Sequence, residues 1–278
     1  MEDATTAIFY ATPFFSDLLH EHISAMVQWH PDTETQLKHL YYLLHLTEYT
    51  RESLPLVKTF LQGKDTKSLL HTQVCFSREI NPVLNRTGDN THAFKGSLIE
   101  VFAQSAILSE YPLEFLIEVG AGLFDPSIVL TLFIGGHHHA RSAECNSSCP
   151  LQRLLKAGAN PNKGDYQMTP LQIATVGRDS YGVECLLKAG ALPNDTGNPN
   201  GVIWEEDTIM HHLSHLHGAS PLKICREFKV FYQYDSSEGE DERKKIEDLL
   251  LQYGAEDFLT TCEPDYVEDE VDSTSLDY

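Results

Sequence analysis

Apolar residues recur every three or four positions along most of this chain, which is the spacing of helices with one buried face. In residues 1–93 the pattern gives two clear stripes and a further segment, 54–63, that ends a helix at Gly63. The first stripe contains Phe15, Leu18, Leu19, Ile23, Met26 and Val27, and the second contains Leu37, Leu40, Tyr41 and Leu44. The pattern therefore predicts an all-α fold that begins with packed helices.

A nine-residue segment in the second half of the chain occurs almost unchanged twice, at 154–162 and at 186–194. Its glycines, Gly158 and Gly190, suit the left-handed turn that ends a helix. Between the two copies, Thr169 is placed to cap a helix with its hydroxyl, and Pro170 suits the first helical turn. The segment 158–194 is thus predicted to contain two short helices that pack against each other, followed by a projecting loop.

These motifs resemble the ankyrin repeat, a unit of about 33 residues with a Thr-Pro-Leu-His-x-Ala sequence. Gln172 stands where that family has histidine, which predicts a locally altered hydrogen-bond network. Weaker copies extend the resemblance to residues 94–258 and give about four helix pairs, with second helices that end near Gly120, Gly158, Gly190 and Gly254. The irregular spacing requires insertions near 136–148, 196–217 and 233–242, and the pattern is similar to that of fungal ankyrin-repeat proteins.

The resemblance implies a helical solenoid with three parts. Residues 1–93 are expected to form a helical N-terminal region that caps the first repeat, with decayed repeats or a separate helical domain as the alternatives. Residues 94–258 hold the repeats. Residues 259–278 are expected to be a disordered acidic tail, since the stretch from Glu256 to Tyr278 has nine acidic residues and no lysine or arginine.

Charge narrows the choice of partner. The 278 residues include 41 acidic and 20 basic side chains, for a formal charge of −21, which disfavours nucleic acid as a partner.

The N-terminus does not resemble a secretory signal, and the longest apolar run, around 128–134, is too short for a membrane span. The six cysteines are too sparse for a disulfide scaffold. We therefore expect a cytoplasmic or nuclear protein that does not bind a membrane.

One loop contains residues that zinc favours. Four candidate ligands lie there, His137, His139, Cys145 and Cys149, and a metal-binding regulatory protein is the alternative function. Their spacing matches no standard zinc pattern, and a polar inserted loop is the favoured explanation. No nucleophile elbow, phosphate-binding loop or dinucleotide motif is present, so we expect neither an enzyme nor a cofactor.

The ankyrin resemblance implies a scaffold or adaptor that binds a protein partner through repeat loops and the concave helix face. The family's usual contact positions fall on Asp165, Tyr166, Gln167, Thr175 and Arg178. Tyr166 is the best anchor, and packing on the next loop is the alternative explanation for it. Trp204, in a polar insertion, is either an anchor or a plug over the repeat junction. The acidic chain predicts a partner with a basic or mixed surface and association that weakens with salt.

Overall fold

A computed structural model of the chain describes Leu37, Leu40, Leu44, Val57, Leu61 and residues 69–70, 72–77, 93–105, 111–120, 122, 124–136, 149–163, 166–201, 216, 218–228 and 237–260. These residues are predominantly helical, as the sequence predicts. Their elements, in chain order, are β1 (Val74–Ser77), β2 (Ala93–Gly96), α1 (Leu98–Ser105), α2 (Tyr111–Val119), α3 (Pro126–Gly136), α4 (Pro150–Lys156), α5 (Pro170–Val176), α6 (Ser180–Lys188), α7 (Pro221–Glu227) and α8 (Ser237–Gln252).

The eight helices of the described part pack as four consecutive pairs: α1 with α2, α3 with α4, α5 with α6, and α7 with α8. The first helices of the pairs also contact one another in the order α1, α3, α5, α7. The second helices do the same in the order α2, α4, α6, α8. Two parallel rows result, and each pair has the next pair as its neighbour in both rows.

Local sequence signals account for the helix starts. Thr169 accepts a hydrogen bond from the Gln172 amide at 3.1 Å, and the Gln172 side chain accepts one from the Thr169 amide at 2.7 Å, which makes a capping box with Pro170 inside the first turn. Ser220 caps α7 in the same way, with its hydroxyl accepting from the Lys223 amide at 3.2 Å. Asp179 caps α6 through the Gly182 amide.

Three of the four predicted glycine turns are left-handed. Gly158, Gly190 and Gly254 have φ values of +92°, +93° and +81°, and the following residues, Ala159, Ala191 and Ala255, each donate back to a leucine carbonyl in the helix. The fourth turn differs, because the left-handed residue after α2 is Gly122, with φ +78°, and not Gly120.

Two departures from the sequence analysis lie at the ends of the helical array. Strands β1 and β2 form an antiparallel pair, with Val74 opposite Gly96 and Ser77 opposite Ala93, where no strand was predicted. The last helix begins at Ser237, so the insertion expected at 233–242 is helical from that residue onward. The hydrophobic pattern did not indicate either element. The strands are only four residues long, and residues 237–242 are almost wholly polar, so neither segment shows a clear apolar period.

The middle helices of the first row, α3 and α5, are the most deeply buried. Every residue of α5 is buried, and so are residues 129–135 of α3. The apolar run around Ile128–Ile134 fits this position, since a helix that is apolar all round belongs inside a protein. The buried residues of the N-terminal region join the same continuous core: Leu37, Leu40, Leu44, Val57, Leu61, Leu69 and Leu70.

Candidate protein-binding surface

Two asparagines join successive loops at the edge of the helical array. The Asn162 side chain donates to the Gly190 carbonyl at 2.9 Å and accepts from the Leu192 amide at 2.8 Å. The Asn194 side chain donates to the Gly254 carbonyl at 3.2 Å and accepts from the Glu256 amide at 2.7 Å. These contacts, here called the asparagine bridges, have the same geometry in two successive pairs and hold three loops side by side.

The loop after α4 is also tied to the preceding helix pair. The Asn160 amide donates to the Ser127 hydroxyl at 2.9 Å, and Lys163 forms an ion pair with Asp125 at 2.5 Å. The hydrogen bond from Lys163 is the main cause that lowers the pKa of Asp125 below its ordinary value. Consecutive loops are therefore joined from α3 to the end of α8.

The proposed anchor loop is covered by the following loop. Tyr166 is half-buried and packs against the core. A side-chain carbon added at Gly201 would clash with the Tyr166 backbone, and one added at Gly197 would clash with the Gln167 carbonyl. Gln167 also donates to the Pro199 carbonyl at 3.4 Å. The backbone of Tyr166 and Gln167 therefore lies against the next loop, and the Tyr166 side chain is partly buried. Asp165 lies outside the described residues.

Gln172 links two helix pairs from a buried position. While its oxygen completes the capping box on Thr169, its Nε2 donates to the Ala219 carbonyl at 2.8 Å, at the start of the next pair. A histidine offers one donor and one acceptor in its neutral form, and glutamine supplies the same two functions here. Gln172 therefore accepts within its own helix start and donates to the next pair, while the altered network expected from the resemblance stays a prediction.

Thr175 does not fit the contact role expected of it. Its side chain is buried, with 4% exposure, and its hydroxyl donates to the Leu171 carbonyl of its own helix at 2.8 Å. Because all of α5 is buried, this helix offers no open face to a partner. We therefore remove Thr175 from the candidate contact residues.

Arg178 connects α5 to α6 in an unusual conformation. Its φ is +54°, and it is the non-glycine residue of the described part with a left-handed backbone. The amide of Asp179 donates to the Ala174 carbonyl at 3.0 Å, which closes the turn and fixes this conformation. Arg178 is partly buried, and its guanidinium acts on the Cys225 thiol of α7.

Three arginines and one glutamate act electrostatically on Cys225 of α7. Burial, helped by the Glu247 carboxylate, raises the pKa of the Cys225 thiol to about 11, although the guanidinium groups of Arg243, Arg178 and Arg226 act in the opposite direction. Arg226 pairs with Glu247 and Asp257, each at 2.8 Å. Arg243 pairs with Glu240 at 2.8 Å. We call Arg178, Arg226 and Arg243 the arginine cluster.

Three of the four metal-site candidates lie outside the described residues: His137, His139 and Cys145. Trp204 also lies outside them. Cys149 is buried at the start of α4, where its Sγ lies 3.8 Å from the Tyr181 hydroxyl of α6. The same hydroxyl accepts from Gln152 at 2.9 Å, so Cys149 belongs to a packed junction. Within the described ranges, no three metal-binding side chains lie together, and the metal hypothesis stays a prediction.

Comparison with models of protein families, with curated proteins and with solved structures finds no match to this chain. Among the helices that the structure describes, none is long and apolar enough to cross a bilayer.

Proposed function

We propose that this chain is an ankyrin-type helical repeat protein, a scaffold or adaptor that binds a protein partner without catalysing a reaction. The observation that carries the proposal is the pair of asparagine bridges. Asn162 and Asn194 are 32 residues apart and make equivalent side-chain contacts to the next loop. Regular loops joined at one edge are the feature by which stacked repeats present a continuous binding surface.

The polar residues of the last pair support a stack that ends at α8. Arg226 of α7 occupies the position that corresponds to buried Thr175 of α5, and Glu247 of α8 corresponds to buried Val183 of α6. Terminal repeats need a polar outer face because no neighbour covers them. Leu251 corresponds in the same way to buried Leu187, yet it is 47% exposed, as expected where no described helix packs beyond α8.

The binding surface we propose is the loop edge, and not the concave helix face. Tyr166 and Gln167 are partly accessible there, whereas Arg178 follows α5 and lies at the other end of that helix. The complete burial of α5 argues against contacts through this helix. A partner with a mixed surface fits an aromatic ring and an amide in an otherwise acidic chain.

The proposal is tested by quantitative capture of interacting proteins on the full chain and on a Tyr166→Ala, Gln167→Ala double variant. The matched control carries Gln252→Ala and Tyr253→Ala, which removes the same two side-chain types from an exposed position on α8. We expect at least one protein to be reduced tenfold or more by the first variant and retained by the control. That protein should also be lost as salt is raised from about 0.05 to 0.5 M, since charge contacts are screened.

Retention of every captured protein by the Tyr166→Ala, Gln167→Ala variant would show that the loop edge is not the contact surface. Equal losses in the control would show that the substitutions act through general changes of the surface. Circular dichroism at 222 nm on all three proteins checks that the helices remain folded.

A further inference from the structure

Two thiols from neighbouring helix pairs meet at one tyrosine hydroxyl. Cys149 stands at the start of α4 and Cys185 lies within α6, and neither is in a disulfide. The Cys149 Sγ lies 3.8 Å from the Tyr181 hydroxyl oxygen. The Cys185 thiol is hydrogen-bonded to the same hydroxyl. The two sulfur atoms are therefore both neighbours of a single oxygen atom.

Gln152 of α4 completes this group of side chains. Its Nε2 donates to the Tyr181 hydroxyl at 2.9 Å and lies 3.8 Å from the Cys185 Sγ. Both contacts run from α4 to α6, so they join the second helix pair to the third. We call Cys149, Gln152, Tyr181 and Cys185 the thiol junction.

The repeat does not require a cysteine at either position. With the two copies of the repeated segment placed 32 residues apart, Cys149 corresponds to Tyr181, and Cys185 corresponds to Arg153. Side chains of very different size and charge therefore occupy the same two positions in adjacent pairs. The feature that the two cysteines share is their contact with the Tyr181 hydroxyl, where the two helix pairs meet.

The two thiols differ in their access to solvent. Cys149 is buried, with 2% exposure, whereas Cys185 is only partly buried. An oxidant from solution therefore reaches Cys185 first. Burial raises the pKa of the Cys185 thiol, although hydrogen bonds with Tyr181 and Gln152 act in the opposite direction. The reactive thiolate is thus scarce at neutral pH, and the reaction with an oxidant is slow there.

We propose that Cys149 and Cys185 form a reversible disulfide when the protein meets hydrogen peroxide. The Cys185 thiolate attacks one oxygen of the peroxide, the O–O bond breaks, and hydroxide leaves, which makes a sulfenic acid at Cys185. The Cys149 thiolate attacks that sulfur, the S–O bond breaks, and hydroxide leaves as the S–S bond forms. The proton lost by each thiol ends on the hydroxide of the same step. Two electrons leave the thiols, and one peroxide becomes two water molecules.

The bond changes the contact between the second and third helix pairs. A disulfide requires the two Cα atoms to lie within about 7 Å of each other, so α4 and α6 close on each other as the Tyr181 hydroxyl leaves the two sulfurs. A covalent link then replaces the hydrogen bonds of the thiol junction, and reduction by a thiol restores them. In a reducing compartment such a bond is transient and serves as a redox sensor. This inference does not depend on the binding of a protein partner.

Peptide mass spectrometry on the full chain tests the bond. The reduced protein is treated with hydrogen peroxide, the remaining thiols are blocked, and the protein is digested without reduction. Trypsin leaves Cys145 and Cys149 in one peptide, so the protein carries Cys145→Ser. We expect the link between peptides 142–153 and 179–188 to be at least about fivefold more abundant than any other cysteine pair, and to disappear when a reductant is added.

Cys149→Ser separates the two steps of the reaction. Without the second thiol, Cys185 should stop at the sulfenic acid, which dimedone traps. Dimedone labelling of Cys185 should be at least about fivefold lower when Cys149 is present, because the disulfide consumes the sulfenic acid. The matched control is Cys225→Ser, which changes another buried cysteine, on α7, and should leave the link unchanged. Circular dichroism checks that both variants are folded.

Four results would overturn the proposal. Conversion of Cys185 to sulfinic acid while Cys149 remains a thiol would show that the second thiol does not reach the first. Equal amounts of links among all the cysteines would indicate pairing in unfolded chains. Links that join isotope-labelled to unlabelled chains in a mixed sample would assign the bond to two copies of the protein. Recovery of both thiols unmodified after hours in excess peroxide would also refute it.

Discussion

At the scale of single residues, the left-handed positions are the clearest determinants of this fold. An atom added at the Cβ position of Gly158, Gly190 or Gly254 meets nothing within 4 Å. These glycines are therefore required by backbone conformation and not by lack of space. Arg178 takes up a left-handed position without that freedom. Substitution of a turn glycine and substitution of Arg178 by glycine should therefore change the free energy of unfolding in opposite directions.

Gly190→Ala should lower the free energy of unfolding by about 1 kcal/mol, because alanine is strained at φ +93°. Arg178→Gly should raise it by about 0.5 kcal/mol, since relief of strain exceeds the entropy that glycine adds to the unfolded chain. Urea unfolding followed by circular dichroism measures both. An equal loss of stability in the two variants would contradict this explanation of the turns.

The Cys225 thiol makes a prediction about alkaline pH. Its folded pKa of about 11 lies above the ordinary thiol value of 9.0, so the fold favours the protonated form. The resulting stability is complete below pH 9 and is lost as the pH rises towards 11. A shift of this size corresponds to about 2 kcal/mol at pH 10.5. Cys225→Ala, which places at this site the residue found at the corresponding Ala174, should remove that loss.

The measurement is the difference in unfolding free energy between pH 8 and pH 10.5 for the original chain and for Cys225→Ala. Tyrosines and lysines titrate in both proteins, so their effects cancel in the comparison. If the two proteins lose the same stability, burial does not perturb the thiol as the structure implies.

At the scale of helices and loops, the sequence predicted the positions of most helices but not which elements contact one another. Thr169-Pro170 and Ser220-Pro221 predicted helix starts correctly because capping acts within four residues. Strands β1 and β2 were missed because their pairing joins segments about twenty residues apart. Gln172 was noticed only as a departure from a motif, and its partner Ala219 lies 47 residues away.

Gln172 provides the test of the buried link between pairs. Gln172→Leu should cost about 2–4 kcal/mol, because it leaves the Thr169 amide and the Ala219 carbonyl without their side-chain partner inside the protein. Gln172→His should cost less than half as much at pH 8, where the neutral ring offers a donor and an acceptor. Thermal or urea unfolding measures the free energy of unfolding of the two variants and of the original chain. Equal costs would argue against the ankyrin-type role proposed for this position.

The asparagine bridges are tested by hydrogen exchange. Asn162→Ala removes both contacts to the next loop and should cost about 1–2 kcal/mol, whereas Asn162→Asp keeps the acceptor for the Leu192 amide. Exchange at Leu192 should therefore accelerate in the alanine variant and much less in the aspartate variant. The Glu256 amide, which Asn194 binds, is the control and should not change. Acceleration at both amides would indicate general loosening of the loops.

At the scale of the whole molecule, the described leucines of the N-terminal region belong to the same core cluster as the helix pairs. Leu40 and Leu250 are both fully buried and belong to one continuous cluster, although 210 residues separate them. The sequence left open whether residues 1–93 cap the repeats or form a separate domain. A shared core favours the cap.

Leu40→Ala and Leu250→Ala should each destabilise the protein by about 2–5 kcal/mol through the cavity they create. If the core is shared, both variants lower the midpoint of one common unfolding transition, monitored by circular dichroism and by tyrosine fluorescence. A separate low-temperature transition in Leu40→Ala, with the remainder unfolding as in the original chain, would support a separate N-terminal domain.

The sequence by itself determined the helix starts at Pro170 and Pro221 and the glycine turns at Gly158, Gly190 and Gly254, because caps, prolines and glycines act on neighbours a few positions away. Its assignment of Tyr166, Gln167 and Arg178 as partner contacts stays a prediction. Only the tertiary structure decided that Thr175 is buried and that α5 is covered on every side. Burial depends on what packs against the opposite face, and those atoms come from segments far away in the chain. For the same reason, the sequence could not show that Gln172 reaches the Ala219 carbonyl of the next pair.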